Sequence, residues 1–234
     1  MALPQLNTST YELELPSTGE TVKYRPFLVK EQKLLMIAQE SGEDKQIEQA
    51  FANIIKDCTF EKIDPYRIPL FDVEFLFLRI RGKSVGDSVE LNLLCPDDNE
   101  TIATVKIELD EINVLMKEEH STEVILTDDI TLIMKYPTLN SMSGFNQEGE
   151  VISIFDMIKN CIHEIHSGEE IYNSVDVTNK ELDEFIGNMS TQNFEDVSTF
   201  FETMPKLVHV INVKNPKTKK KGEVVIEGLQ SFFE

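Results

Sequence analysis

The residue pattern predicts an α+β fold, several β-hairpins combined with amphipathic helices, with a C-terminal helical group closed by a β-hairpin. Three observations point there. Stretches of alternating apolar and polar residues are separated by clusters of Gly, Asp and Asn, as in hairpins. Other stretches repeat their apolar residues at helical spacing. A hydrophobic content of 41% over 234 residues is enough for one large core or two modest ones.

Tyr11, Leu13 and Leu15 alternate with Glu12 and Glu14, then Ser17-Thr18-Gly19-Glu20 supplies a turn before Val22 and Tyr24 resume the alternation. This predicts a hairpin. Pro26 ends strand pairing because it has no N–H to donate. The unbroken apolar run from Leu34 to Ala38 predicts a helix buried on more than one side. From Ile47 onward, Ala50, Phe51, Ile54, Ile55 and Cys58 keep helical spacing and leave Glu48, Gln49, Asn53 and Lys56 to water. Residues 70–80 alternate like a strand on one side but are apolar on the other as well, and a buried helix is the better reading. Asp72 with Arg79 and Glu74 with Arg81, seven residues apart, would form one narrow polar stripe, and Gly82 and Gly86 offer stops.

A second hairpin places Val89, Leu91 and Leu93 on one arm, residues 95–100 in the loop, and Ala103, Val105, Ile107 and Leu109 on the other arm. A third uses Val124 and Leu126, a turn at Asp128-Asp129, and Ile130, Leu132, Met134 and Tyr136. Residues 137–150, rich in Ser and Gly, suit a mobile loop or a boundary, which divides the chain into an N-terminal α+β lobe, 1–140, and a C-terminal lobe, 141–234, unless the whole is one domain. Val151, Ile154, Phe155, Ile158, Cys161, Ile162 and Ile165 predict one amphipathic helix, stopped by Gly168. Thr178 and Glu181 have capping-box spacing ahead of Leu182, Phe185, Ile186 and Met189, and Asn193 is placed to cap a third helix carrying Phe194, Val197, Phe201 and Met204. A last hairpin runs from Val208, Val210 and Ile211 through Asn215-Pro216-Lys217 and Gly222 to Val224 and Ile226. Leu229, Phe232 and Phe233 follow as a short apolar anchor.

Twenty-two basic against 42 acidic residues give a formal charge of -20, which opposes close approach to a phosphate backbone, so nucleic-acid binding is not expected. Three widely spaced cysteines, Cys58, Cys95 and Cys161, offer no disulfide framework and suit a reducing compartment. No apolar run approaches the length of a membrane span, and the N-terminus lacks the regions of a signal peptide. A cytoplasmic protein without membrane association is the expectation.

One segment invites a metal or catalytic reading, Cys161-Ile162-His163-Glu164-Ile165-His166. On a helix, at about 100° per residue, Cys161 lies on the apolar face and His163 well round toward solvent, so the three ligands do not converge. The spacing also differs from HExxH, in which two histidines share a face. Cys95-Pro96 resembles half a zinc knuckle but has no second cysteine two to four residues on. No G-x-S-x-G elbow is present, and Gly82-Lys83-Ser84 lacks the earlier glycine of a phosphate loop. No catalytic, cofactor-binding or metal residue is therefore assigned, and the chain is not expected to be an enzyme. Lys217, Lys219, Lys220 and Lys221 concentrate positive charge at a hairpin tip, suited either to docking an acidic partner or to protecting an edge. Phe232 and Phe233 are the other candidate partner contacts, the alternative being that they close the protein's own core.

The blocks LPSTGETVKYRPFLVKEQKLLM, KDCTF, FLFLRIRGKSVGD and EGLQSFF resemble the T4-like myophage baseplate hub family, and the resemblance covers most of the chain in outline. Similar proteins are hub subunits or hub assembly chaperones of the contractile tail, made in the infected host cytoplasm. The resemblance implies a non-enzymatic assembly factor whose partners are other baseplate hub proteins, or else a stoichiometric subunit kept in the virion baseplate. A metal-dependent enzyme using Cys161, His163 and His166 is the rival reading from another class. Some relatives carry cysteine pairs in comparable hairpins; this sequence has Asp97-Asp98 and Asn215-Pro216 in their place, which implies turns held without metal.

Overall fold

The computed structural model describes residues 7–139 and 154–228. Among them the chain forms six helices and eleven strands, the strands in small antiparallel sheets. It divides into two compact units, Met1–Leu115 with Lys206–Glu234, and Met116–Pro205.

In the first unit β1 (Tyr11–Glu14) and β2 (Thr21–Tyr24) pair with Tyr11 opposite Tyr24. Gly19 closes their turn at φ +70°, a conformation that L side chains resist, and donates to the Leu15 carbonyl at 2.8 Å. Helix α1 (Val29–Ser41) starts where the Glu31 carboxylate accepts the Leu28 N–H at 2.7 Å, and it ends at Gly42 in the left-handed conformation. It packs against α2 (Asp44–Cys58), whose Ala50, Ile54, Ile55 and Cys58 are buried as their spacing predicts.

The apolar run 34–38 does not bury α1 on more than one side. Only Glu31 and Ala38 are buried along the helix, while Met36 and Ile37 are 54% and 52% exposed. Five consecutive residues go right round a helix, so packing on one side leaves part of such a run in water.

Helix α3 (Leu70–Val85) is the buried helix expected, with Leu76, Leu78 and Ile80 fully covered. It runs through Gly82 and stops at Gly86. Its polar stripe is not left to water. Asp72 is fully buried and accepts from the Ser17 N–H at 3.1 Å and from the Ser17 hydroxyl. Arg79 donates to the Leu109 and Ile112 carbonyls at 2.8 and 2.7 Å, fixing the turn that follows the second hairpin. That hairpin is β3 (Ser88–Leu94) with β4 (Ile102–Glu108). The short β5 (Asn113–Leu115), which the sequence pattern missed, pairs with β10 (Lys206–Lys214), and β10 pairs with β11 (Lys221–Glu227). Leu78, Leu91, Ile107, Leu109, Leu207 and Ile211 share one core.

The second unit holds β6 (Glu123–Ile125), β7 (Ile130–Met134), α4 (Ile154–Cys161), β8 (Ile162–Ser167), β9 (Glu170–Asn173), α5 (Asn179–Gly187) and α6 (Thr191–Thr203). The four strands form one sheet in the order β6-β7-β8-β9. The single helix expected up to Gly168 therefore stops at Cys161, and residues 162–173 are a hairpin in which Gly168, at φ +60°, serves as the turn. The physical reason is a register shift. Leu132 faces Ile165, but Met134 faces Ile162, so a bulge at His163 lets two isoleucines three residues apart both reach the core. That spacing imitates a helical period. The three consecutive helices expected are thus one helix, a hairpin and two helices.

Thr178 caps α5 in the expected capping box with Glu181. For α6 the cap is Ser190, not Asn193. Asn193 occupies the third helical position and returns a bond to the Ser190 N–H at 3.2 Å. The lobe boundary at residue 140 falls inside the second unit, between strands that one sheet joins, and the final hairpin belongs to the first unit through β5. Val151, Leu229, Phe232, Phe233 and most of the 137–150 segment lie outside the described residues.

Candidate interaction surfaces

The β10–β11 tip is braced by the β3–β4 tip. Asn215, 1% exposed, donates its side-chain amide to Asp97 at 2.8 Å and to Asp98 at 2.9 Å, and the Thr218 hydroxyl donates to Asp97 at 2.6 Å. Asp98 also accepts from the Thr101 and Glu100 N–H groups and from the Thr101 hydroxyl. These donors favour the ionised form and hold both carboxyls below the usual carboxylate range, the Thr101 N–H contributing most at Asp98 and the Thr218 hydroxyl at Asp97. Pro96 lies so close to Gly222 that a Cβ there would stand 2.4 Å from the Pro96 Cγ, so only glycine fits. What joins the two turns is hydrogen bonding and this contact.

On that braced tip Lys217, Lys219, Lys220 and Lys221 are all exposed. Lys219 turns back to the Pro216 carbonyl at 2.6 Å; the tip still presents a cluster of ammonium groups on a fixed support. Candidate contacts Phe232 and Phe233 fall outside the described residues.

The residues of the metal reading are separated by the strand. Cys161 ends α4 in the core with no exposure, and burial pushes its thiol up to about 12, so it holds its proton near neutral pH. His166 Nε2 lies 2.8 Å from the Glu164 carboxylate, and His163, on the bulge, is half exposed. Among the described residues no group of three His, Cys, Asp or Glu side chains is placed to share a metal ion. His120 is held structurally. Its Nδ1 lies 2.9 Å from the Thr203 hydroxyl and its Nε2 3.0 Å from the Tyr136 hydroxyl, with the Tyr136 and Phe200 rings beside it. Because the Thr203 hydroxyl already donates to the Thr199 carbonyl, it accepts from His120 Nδ1–H, and burial holds the imidazole's pKa below its usual value.

The surface that sequence reasoning missed is on α1. Val29 is 79% exposed, and Leu34, Met36 and Ile37 leave further apolar side chain in water along the same helix. Beside it, a groove of about 380 Å³ runs between α1 and α2, floored by Leu34, Ile37, Ala38 and Ala50. Gln46, Gln49 and Asn53 supply amides along its rim, and Lys45 is its charged lining residue. An apolar run longer than one helix face needs was the available signal.

The model of the family described as T4 bacteriophage base plate protein matches residues 8–234. The chain belongs to this family. No curated protein and no solved structure gives a significant match. A base plate protein works by association within a phage tail, so the braced lysine tip and the apolar α1 face are the features of this molecule to weigh as contact surfaces. None of its helices, among the described residues, is long and apolar enough to cross a membrane.

Proposed function

We propose that this base plate protein acts in assembly of the baseplate hub, as a non-enzymatic factor that engages other hub proteins in the infected host cytoplasm. The observation that carries the reading is the family match over residues 8–234, which spans both compact units. Two surface features support action by contact. The lysines from Lys217 to Lys221 stand on a tip fixed by Asp97, Asp98 and Asn215, which suits them to an acidic partner surface. The apolar face of α1 lacks an intramolecular cover among the described residues, and such faces in proteins of assemblies serve as contact areas.

Quantitative mass spectrometry of hub intermediates and of purified mature particles tests this reading. An assembly factor is recovered with intermediates arrested before tail completion and is absent from mature particles. Recovery from mature particles at the ratio of other baseplate subunits would establish the stoichiometric-subunit reading in its place.

A further inference from the structure

We propose that the free edge of β11 pairs with β11 of a second copy of this chain, antiparallel about a two-fold axis at Val224, so that Lys221 of each copy lies opposite Glu227 of the other. The pairing goes beyond the assembly reading and stands whatever part the protein plays in the base plate.

β11 is the outermost strand of the sheet β11-β10-β5. It is seven residues long, and its register against β10 runs from Lys221 to Glu227 without a bulge or a proline. The Asn215 N–H donates to the Lys220 carbonyl at 2.9 Å, and the Gly228 N–H to the Leu207 carbonyl at 3.0 Å. Between those two bonds an antiparallel ladder alternates, so Gly222, Val224 and Ile226 bond to β10, while Lys221, Glu223, Val225 and Glu227 point their N–H and C=O groups away from it. Among the described residues nothing bonds to the backbone of Lys221, Glu223 or Val225 on that side, and Val225 is 54% exposed. An open edge of this length is a template for another strand.

Charge decides which strand fits. A two-fold pairing joins outward backbone residues to outward backbone residues. Centred on Val224, it sets Lys221 opposite Glu227 at both ends and Glu223 opposite Val225, while Val224 meets its own copy on the core side. Centred one residue earlier it sets Glu223 against itself, and one residue later Glu223 against Glu227. The register on Val224 alone joins acid to base, and it uses the whole strand. Lys221 also stands opposite Lys214 in its own sheet, a like-charge pair that costs stability and that a carboxylate brought alongside offsets. Glu227 bridges to Lys206 at 3.7 Å, and a carboxylate accepts from more than one ammonium group. Because the outer face of β10 and β11 carries Lys206, Lys214 and Lys221 beside Glu223 and Glu227, the charge of -20 is not concentrated at this edge. Strands β3 and β4 are equally long, but their outward backbone residues give no full-length symmetric register with acid opposite base.

Sedimentation equilibrium of the full chain over a range of concentrations is expected to show a reversible exchange between monomer and dimer. Val225→Pro removes an outward N–H without touching the bonds to β10, and should leave a monomer with the circular dichroism of wild type. Lys221→Glu should weaken the dimer at least about tenfold, since both symmetric pairs become repulsive, and adding Glu227→Lys should restore it. Val224→Cys reads the register. It should cross-link two copies under mild oxidation, because facing residues of a non-hydrogen-bonded pair lie about 4.5 Å apart. Glu227→Cys, at the far ends of the pairing, should not, and the native thiols are buried. A protein that stays monomeric at every concentration, a dimer indifferent to Val225→Pro, or a charge swap that fails to rescue would overturn the proposal. So would capture in infected cells, by a photo-crosslinking residue at position 225, of a strand from a different protein in place of a second copy.

Discussion

Helices α1 and α3 begin alike and end differently. Each carries an unbroken apolar stretch, and each buries an acidic residue in its first turn, Glu31 at 3% exposure and Asp72 at 0%. Around Asp72 the helix is enclosed, with Leu76, Leu78 and Ile80 out of water, whereas beyond Glu31 the helix leaves Met36 and Ile37 more than half exposed. The two carboxyls also titrate in opposite directions. Burial pushes Glu31 up, but its bonds to Arg25 and the Leu28 N–H and the nearby Lys30 outweigh that effect and hold it low. Asp72 has Ser17 as its hydrogen-bond donor and no such cation, so burial wins and raises it. An apolar stretch in the sequence thus does not by itself say that a helix is covered, and a buried acid's behaviour depends on its neighbours rather than on its depth.

The largest expected effect lies in α3. Leu76→Ala removes a fully covered side chain and should cost about 2–5 kcal/mol in urea unfolding, the range for core truncations. Next comes Glu31→Gln, which leaves the largely covered Arg25 guanidinium without its anion and weakens the helix start. A loss of about 1–3 kcal/mol at neutral pH is expected. Because the folded pKa of Glu31 is depressed, its contribution is present above its unfolded pKa of about 4.3 and is lost as pH falls through the folded value, so the variant's deficit should shrink in acid.

Asp72→Asn should have the opposite sign. A raised folded pKa gives stability that is full below the unfolded value of about 3.9 and lost as pH rises through the folded one, so the amide should stabilise the protein at pH 7 and do little in acid. Unfolding curves at the two pH values check both carboxyls, and parallel pH dependence of the two variants would break the comparison. The smallest effect is expected at Ile37→Gln, within about 0.5 kcal/mol of wild type. A cost near that of Leu76→Ala would show that α1 is covered within its own fold after all.

Local chemistry explains which elements the sequence made legible. Gly19 closes a hairpin because it tolerates positive φ, Thr178 and Glu181 cap a helix reciprocally, and the Val, Ile and Leu alternation of β3 and β4 holds through the whole hairpin. The misreadings occurred where the deciding partner lies far along the chain. Ile162 and Ile165 look helical until pairing with β7 draws both into β8 on either side of the His163 bulge, and β5 gains its identity from β10, more than 80 residues away. The lysines of the β10–β11 tip were visible as a charge cluster, but their support by Asp97 and Asp98 crosses a separation of about 118 residues.

By itself the sequence determined the fold class, most of the hairpins and caps, and the family blocks, because each depends on residues within a turn or two of one another or on a pattern read in order. Tertiary structure alone decided that α1 shows its apolar face to solvent, that Asn215 ties two distant tips together, and that strands on either side of residue 140 share a sheet. Those outcomes depend on which surfaces meet, and apolar burial is non-directional: it rewards cover from any source, so only the assembled chain shows where cover is still missing.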